Sequence, residues 1–182
     1  MERGVRLPPG VAVAGVRWFL ASEAALFGGL LVSTLYLRAG FAGWAKDASH
    51  LAWTAPASGT ICLLVAASLL HWVRTSREIS PHALLGAASA GLLFLAIKGA
   101  DYVQHWDGGF RPDVSPFWAA FYLLSSLHAL HVAGGVVAAF GLAWLHRRWH
   151  LPPDSPWVQG LALYWDFVDL VWFLLLAVFY VF

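Results

Sequence analysis

Five long apolar stretches, separated by short polar connections, limit what this chain can become. They run over residues 16–37, 54–73, 82–103, 116–145 and 157–182. Each meets the roughly 20 largely apolar residues that a membrane-spanning helix needs. The connections, RAGFAGWAKDASH, RTSREISP, QHWDGGFRPD and HRRWHLPPDS, are rich in Pro, Gly and charge. None is long enough to fold as a domain of its own, and no internal repeat is visible. In hydrocarbon a backbone amide has no water to bond, so a helix that satisfies its own hydrogen bonds is the economical solution. The expected fold is all-α: an integral membrane bundle of five transmembrane helices, with residues 1–182 forming a single membrane domain.

Composition agrees. Only 12% of the residues are charged and 60% are hydrophobic, against about 25% charged in soluble domains. A net charge of +1 gives no reason to expect a nucleic-acid partner. Cys62 is the only cysteine, which excludes disulfide frameworks and multi-cysteine metal sites. The start, MERGVRLPPG, precedes a long apolar run that contains Glu23 and ends without a small-residue cleavage site, so it reads as a retained first span.

Basic residues set the expected orientation. Arg3, Arg6, Arg17, Arg74, Arg77, Arg147 and Arg148 fall on the N-terminal side of the bundle, whereas the other side has Arg38, Lys46 and Arg111. The excess belongs in the cytoplasm, placing the N-terminus inside and the C-terminus outside. Arg74, Arg77, Arg147 and Arg148 make a rim suited to anionic lipid headgroups, or simply express the positive-inside bias. Trp44, Trp53, Trp106, Trp149 and Trp157 fall at the expected interfaces, where amphipathic rings collect.

Ionisable groups at membrane depth are costly and usually face a partner or the bundle interior. Counting about 1.5 Å per residue, Glu23 of the first span lies at the depth of His131 in the fourth. His128 sits one turn away from His131, and Asp166 and Asp169 share a face of the fifth span in the stretch YWDFVDLVW. These five are expected to converge as an intramembrane polar cluster, with a direct or water-bridged Glu23–His131 contact. Lys98 and Asp101, three apart near the end of the third span, read as a self-neutralising or snorkelling pair. The other six histidines, His50, His71, His82, His105, His146 and His150, are read as solvated or interfacial. The two deep histidines share one helix, so they do not offer facing axial ligands for a haem. No metal ligands and no catalytic residues are assigned. Alternatives at this level are a small proton transporter using Glu23, His131 and Asp166 as a relay, or a haem or quinone enzyme.

Several stretches, in chain order, resemble subunit III of the haem–copper oxidases, in its five-helix bacterial form. WFLASEAALFGG resembles the family's acid-bearing helix, with Glu23 at the acid. ASGTICLLVAASLLHW resembles the next span, and GADY the segment where Asp101 replaces the usual Glu. FYLLSSLHALHVAGG resembles the family's two-histidine signature, with His128 and His131 at its histidines. YWDFVDLVWFLLL resembles the closing motif, with Asp166 standing where that motif has His. The resemblance implies an accessory subunit of a cytochrome c or quinol oxidase in the bacterial cytoplasmic membrane. It implies a chain with no cofactor of its own, haem and copper lying in partner subunits I and II. It also implies packing against subunit I, bound phospholipid, support of proton uptake, and contact with other respiratory complexes. A homologue serving a nitric oxide reductase is the nearest alternative.

Overall fold

The computed structural model describes residues 9–152 and 155–181, with side chains from residue 14 onward. Six helices follow in order: α1 (Pro9–Gly40), α2 (Trp44–Ala48), α3 (Thr54–Thr75), α4 (Pro81–Asp107), α5 (Pro116–Trp149) and α6 (Pro156–Leu176). The last continues as a π-helical turn, Ala177–Val181. Among the described residues there is no strand, and five helices are long and apolar enough to cross a membrane. Arg3 and Arg6, counted in the basic excess that sets the expected orientation, lie outside the described residues.

The helices outrun the apolar stretches, and the reason is local. Ser80 and Ser115 cap α4 and α5, their hydroxyls accepting from the amides of Ala83 (3.3 Å) and Trp118 (3.4 Å), each followed by a proline at the first helical position. Such a pair fixes where each helix starts, beside the first residue of its apolar run; the excess length lies at the C-terminal ends, Asp107 and Trp149. At the other end α4 continues to Asp107 and stops at Gly109, whose φ of +84° suits glycine. The turn brings the Phe110 amide onto the His105 carbonyl at 2.9 Å. The short α2, not expected from the sequence, buries Trp44 against Phe117 and Phe179. Trp44 is thus a core residue rather than an interfacial ring, whereas Trp53, Trp106, Trp149 and Trp157 are exposed as expected.

Short connections make successive spans antiparallel. α2 and the α4–α5 turn lie at one end of the bundle, here the C-terminal end; the α3–α4 and α5–α6 turns lie at the other. The core sits where α3, α4, α5 and α6 meet. Small residues allow the closest approach: a Cβ on Gly135 would stand 2.8 Å from the ring of Trp165, and one on Gly91 2.5 Å from Val136. Without a hydrophobic force between helices in lipid, contact of this kind is what holds them. α1 is the outlier, with 11% of its apolar window buried against 39–50% in the others. Serine and threonine hydroxyls along the spans bond back to carbonyls one turn earlier, as Thr34 does to Leu30 (2.8 Å) and Ser68 to Leu64 (2.7 Å), so they burden the membrane little.

Gly135→Val should lower stability by about 1–3 kcal/mol through overpacking against Trp165. Gly141→Val, with nothing within 4 Å of the new Cβ, should leave stability unchanged. Cys62 is buried and free, so thermal release of that thiol to a fluorogenic maleimide in detergent reports both.

Candidate functional site

Three separate polar groups occupy the bundle. The first joins α1 to α5. His131 Nδ1 lies 2.8 Å from the Leu127 carbonyl, which can only accept, so Nδ1 carries a hydrogen. His131 Nε2 stands 3.0 Å from Glu23 Oε2. A hydrogen bond there requires one shared proton, borne by nitrogen as imidazolium–carboxylate or by oxygen as imidazole–carboxylic acid. The pair is net neutral in either form, which is what a low-dielectric site favours. Tyr164 of α6 donates its hydroxyl to the His131 carbonyl at 2.8 Å, and Phe27 packs edge-on against the imidazole at 5.1 Å. Both side chains are largely covered, at 12% and 17% exposure. The contact expected between Glu23 and His131 is therefore direct, and Tyr164 makes it a three-helix junction.

The second group lies in α4. Lys98 Nζ donates to Asp101 Oδ2 at 2.8 Å and sits over the rings of Phe121 (4.4 Å) and Tyr102 (4.9 Å). His105 Nδ1 donates to the Asp101 carbonyl at 2.7 Å and stands 3.4 Å from Asp101 Oδ1. All three residues are buried, at 5–7% exposure. Of the two arrangements expected for Lys98 and Asp101, self-neutralisation is the one present; the expectation that His105 is interfacial is corrected, since it is buried. Because α4 runs on to Asp107, Lys98 and Asp101 lie inside a longer helix and turn toward the aromatic face of α5. Nearby, Ser125 donates to the Phe121 carbonyl (2.5 Å), so its oxygen is left to accept from Tyr102 at 2.7 Å.

The third group, at the α3–α6 surface, corrects a further expectation. Asp166 does not converge on Glu23 and His131; it faces outward beside α3, with 61% of its side chain exposed. Its Oδ2 lies 3.9 Å from Arg74 Nη1, and Arg74 Nη2 donates to His71 Nδ1 at 3.1 Å. Arg74 is thus half-buried beside Asp166 and His71, whereas Arg77, Arg147 and Arg148 are exposed. A lipid-facing aspartate near a helix centre costs on the order of 2.5–3.5 kcal/mol.

His128 also departs from the expected cluster. It is buried between Phe94 (5.6 Å, edge-on) and Trp172 (5.2 Å, stacked), and neither ring nitrogen has a protein partner. One turn along α5 separates it from His131, yet it faces α4 and α6 while His131 faces α1. Asp169 is buried with Oδ1 unpartnered and shares no hydrogen bond with the Glu23 pair. Trp172, by contrast, donates to Thr60 Oγ1 at 2.9 Å, and Thr60 passes its own hydrogen to the Pro56 carbonyl (2.7 Å). Sequence reasoning missed Tyr164, Thr60 and His105. Each has a polar tip on an apolar body, a signal available in the sequence but common to many residues that bond nothing.

Among the described residues no group of three or more His, Cys, Asp and Glu is placed to hold a metal ion. The arrangement is that of a polytopic helical membrane protein whose buried polar side chains hold its helices to one another. A family model described as Cytochrome c oxidase subunit III matches residues 12–182, and the chain belongs to that family. It is 27% identical to the cytochrome c oxidase subunit 3 of Thermostichus vulcanus, over 95% of this chain and 88% of the relative. To that of Synechocystis sp. it is 29% identical, over 94% and 76%. A probable quinol oxidase subunit 3 of Staphylococcus epidermidis is 25% identical, over 85% and 80%.

Breaking a buried ion pair one-sidedly strands a charge, at about 3–5 kcal/mol, whereas replacing both partners by apolar groups is far milder. Lys98→Met should therefore destabilise the bundle severely, and Lys98→Met combined with Asp101→Leu should recover most of the loss. Thermal midpoints of the single, double and parent proteins in one detergent check this non-additivity.

Proposed function

We propose that this chain is the accessory subunit III of a proton-pumping haem–copper terminal oxidase in aerobic respiration. The observation that carries the reading is the family match over residues 12–182. The geometry supports it: Glu23–His131 and Lys98–Asp101 are each paired within the bundle, so these groups act as clasps between and along helices. Oxygen reduction then belongs to haem and copper in the partner subunits. This chain packs directly on subunit I, stands beside subunit II, and supports proton uptake by holding its neighbour's shape. The N-terminus lies in the cytoplasm and the C-terminus outside, in the inner membrane of a bacterial cell. Arg77, Arg147 and Arg148 meet phospholipid headgroups there.

Glu23, His131 and Tyr164 brace α1, the least buried span, against α5 and α6. Glu23→Leu leaves His131 Nε2 without its partner, at a cost of about 1–2 kcal/mol. Oxidase carrying this variant should lose activity during turnover faster than the parent, with the initial rate unchanged. Oxygen consumption followed over repeated turnovers checks it.

Mild detergent extraction of the tagged chain should recover a haem-bearing subunit and oxygen-consuming activity, while the chain separated from its companions should be colourless. Recovery with nitric oxide reduction and no oxygen consumption would move the assignment to the other class of haem–copper enzyme. A coloured or active isolated chain would overturn it.

A further inference from the structure

The α3–α6 surface presents a kind of polarity that hydrocarbon does not accommodate. Asp166 is ten residues beyond Pro156 in α6, so its backbone lies about 15 Å along the axis from that end. Helical side chains lean toward the N-terminus of their own helix. Arg74, at the last turn of α3, follows that lean into the membrane: its guanidinium bonds His71 one turn back and stands 3.9 Å from Asp166. That separation is longer than a hydrogen bond. Asp166 keeps acceptor capacity and the guanidinium keeps donors, both turned outward at 61% and 32% side-chain exposure. Leu64 on α3 and Leu170 and Phe173 on α6 are exposed along the same two helices, giving the polar patch an apolar border. The exposed residues of α1, among them Leu26 and Val32, carry no comparable demand.

We propose that this face is where the chain docks on the haem-bearing subunit of its complex. The occupant is a transmembrane helix of that subunit which brings a basic or hydrogen-bond-donating side chain to the level of Asp166. Such a helix completes the shell of Asp166 and covers Leu170 and Phe173. Phospholipid does not fit as well, because its charged head lies too shallow and its acyl chains have no donor. The inference rests on the assignment above and adds to it the docking face and the chemistry of the contact.

A photo-crosslinking amino acid is placed at Leu170, and in a second protein at Val137, an exposed residue of α5; each is irradiated in intact membranes before extraction through the tag. Leu170 should yield an adduct with the haem-bearing subunit, and Val137 should not. In parallel, Asp166→Leu should lower recovery of that subunit with the tagged chain by about tenfold or more, and Asp166→Asn by much less, since an amide still accepts. The amount of tagged chain in the membrane controls for folding. If the haem-bearing subunit co-purifies but Leu170 labels only lipid or a second copy of the chain, or Val137 labels that subunit instead, the docking face is wrong and the functional assignment stands. Unchanged recovery with Asp166→Leu likewise overturns the contact alone. Absence of any haem-bearing subunit from the unaltered preparation overturns both.

Discussion

Hydrocarbon supplies no hydrogen bonds, and most of the polar groups in this bundle answer to that fact, the buried and unpartnered His128 ring and Asp169 Oδ1 being exceptions. The backbone responds by running helical from Pro9 nearly to the end of the described residues, with serine and proline restarting it at α4, α5 and α6. Hydroxyls respond by returning to their own helix. Larger polar groups cannot do so and are paired across short distances, Glu23 with His131 and Lys98 with Asp101. Each pairing also conveys geometric information: a neutral pair is stable only if two helices, or two turns of one helix, hold a particular rotation.

Bundle packing shows the same division between general and specific forces. Close approach at Gly91 and Gly135 lets Trp165 wedge between α4, α5 and α6, a contact that shape alone maintains. α1 has little of this and depends more on Glu23, on Phe19 stacked against Tyr164 at 6.3 Å, and on Arg38, whose guanidinium approaches the Val178 carbonyl at 3.4 Å. A span held at a few polar points can be moved by chemistry at those points. A span packed by shape cannot.

What was legible in the sequence was height, and what was not was rotation. Length and hydropathy placed five spans, and counting residues along antiparallel helices put Glu23 level with His131, where they meet. The same counting placed Asp166 at a plausible height but could not say which way it faced, and it faces α3. His128 and His131 differ by one turn and look alike on a helical wheel drawn coarsely, yet one is stacked on Trp172 and the other is bonded to Glu23. Helix ends were misread for a different reason. α4 runs past residue 103 to Asp107, and Lys98 and Asp101, expected near its outer end, are buried there against α5. Trp44 was misplaced because a five-residue helix folds it inward, and nothing in WAKDA announces that.

The wider π-helical turn after Leu176 sets Val178 and Phe179 side by side as buried residues. Phe179 then meets Trp44, Phe117 and Phe121 at centroid distances of 5.6–6.1 Å. These rings form a plug across the C-terminal end of the bundle, with the ammonium of Lys98 lying directly against Phe121. Water arriving from that side meets a wall of aromatic edges.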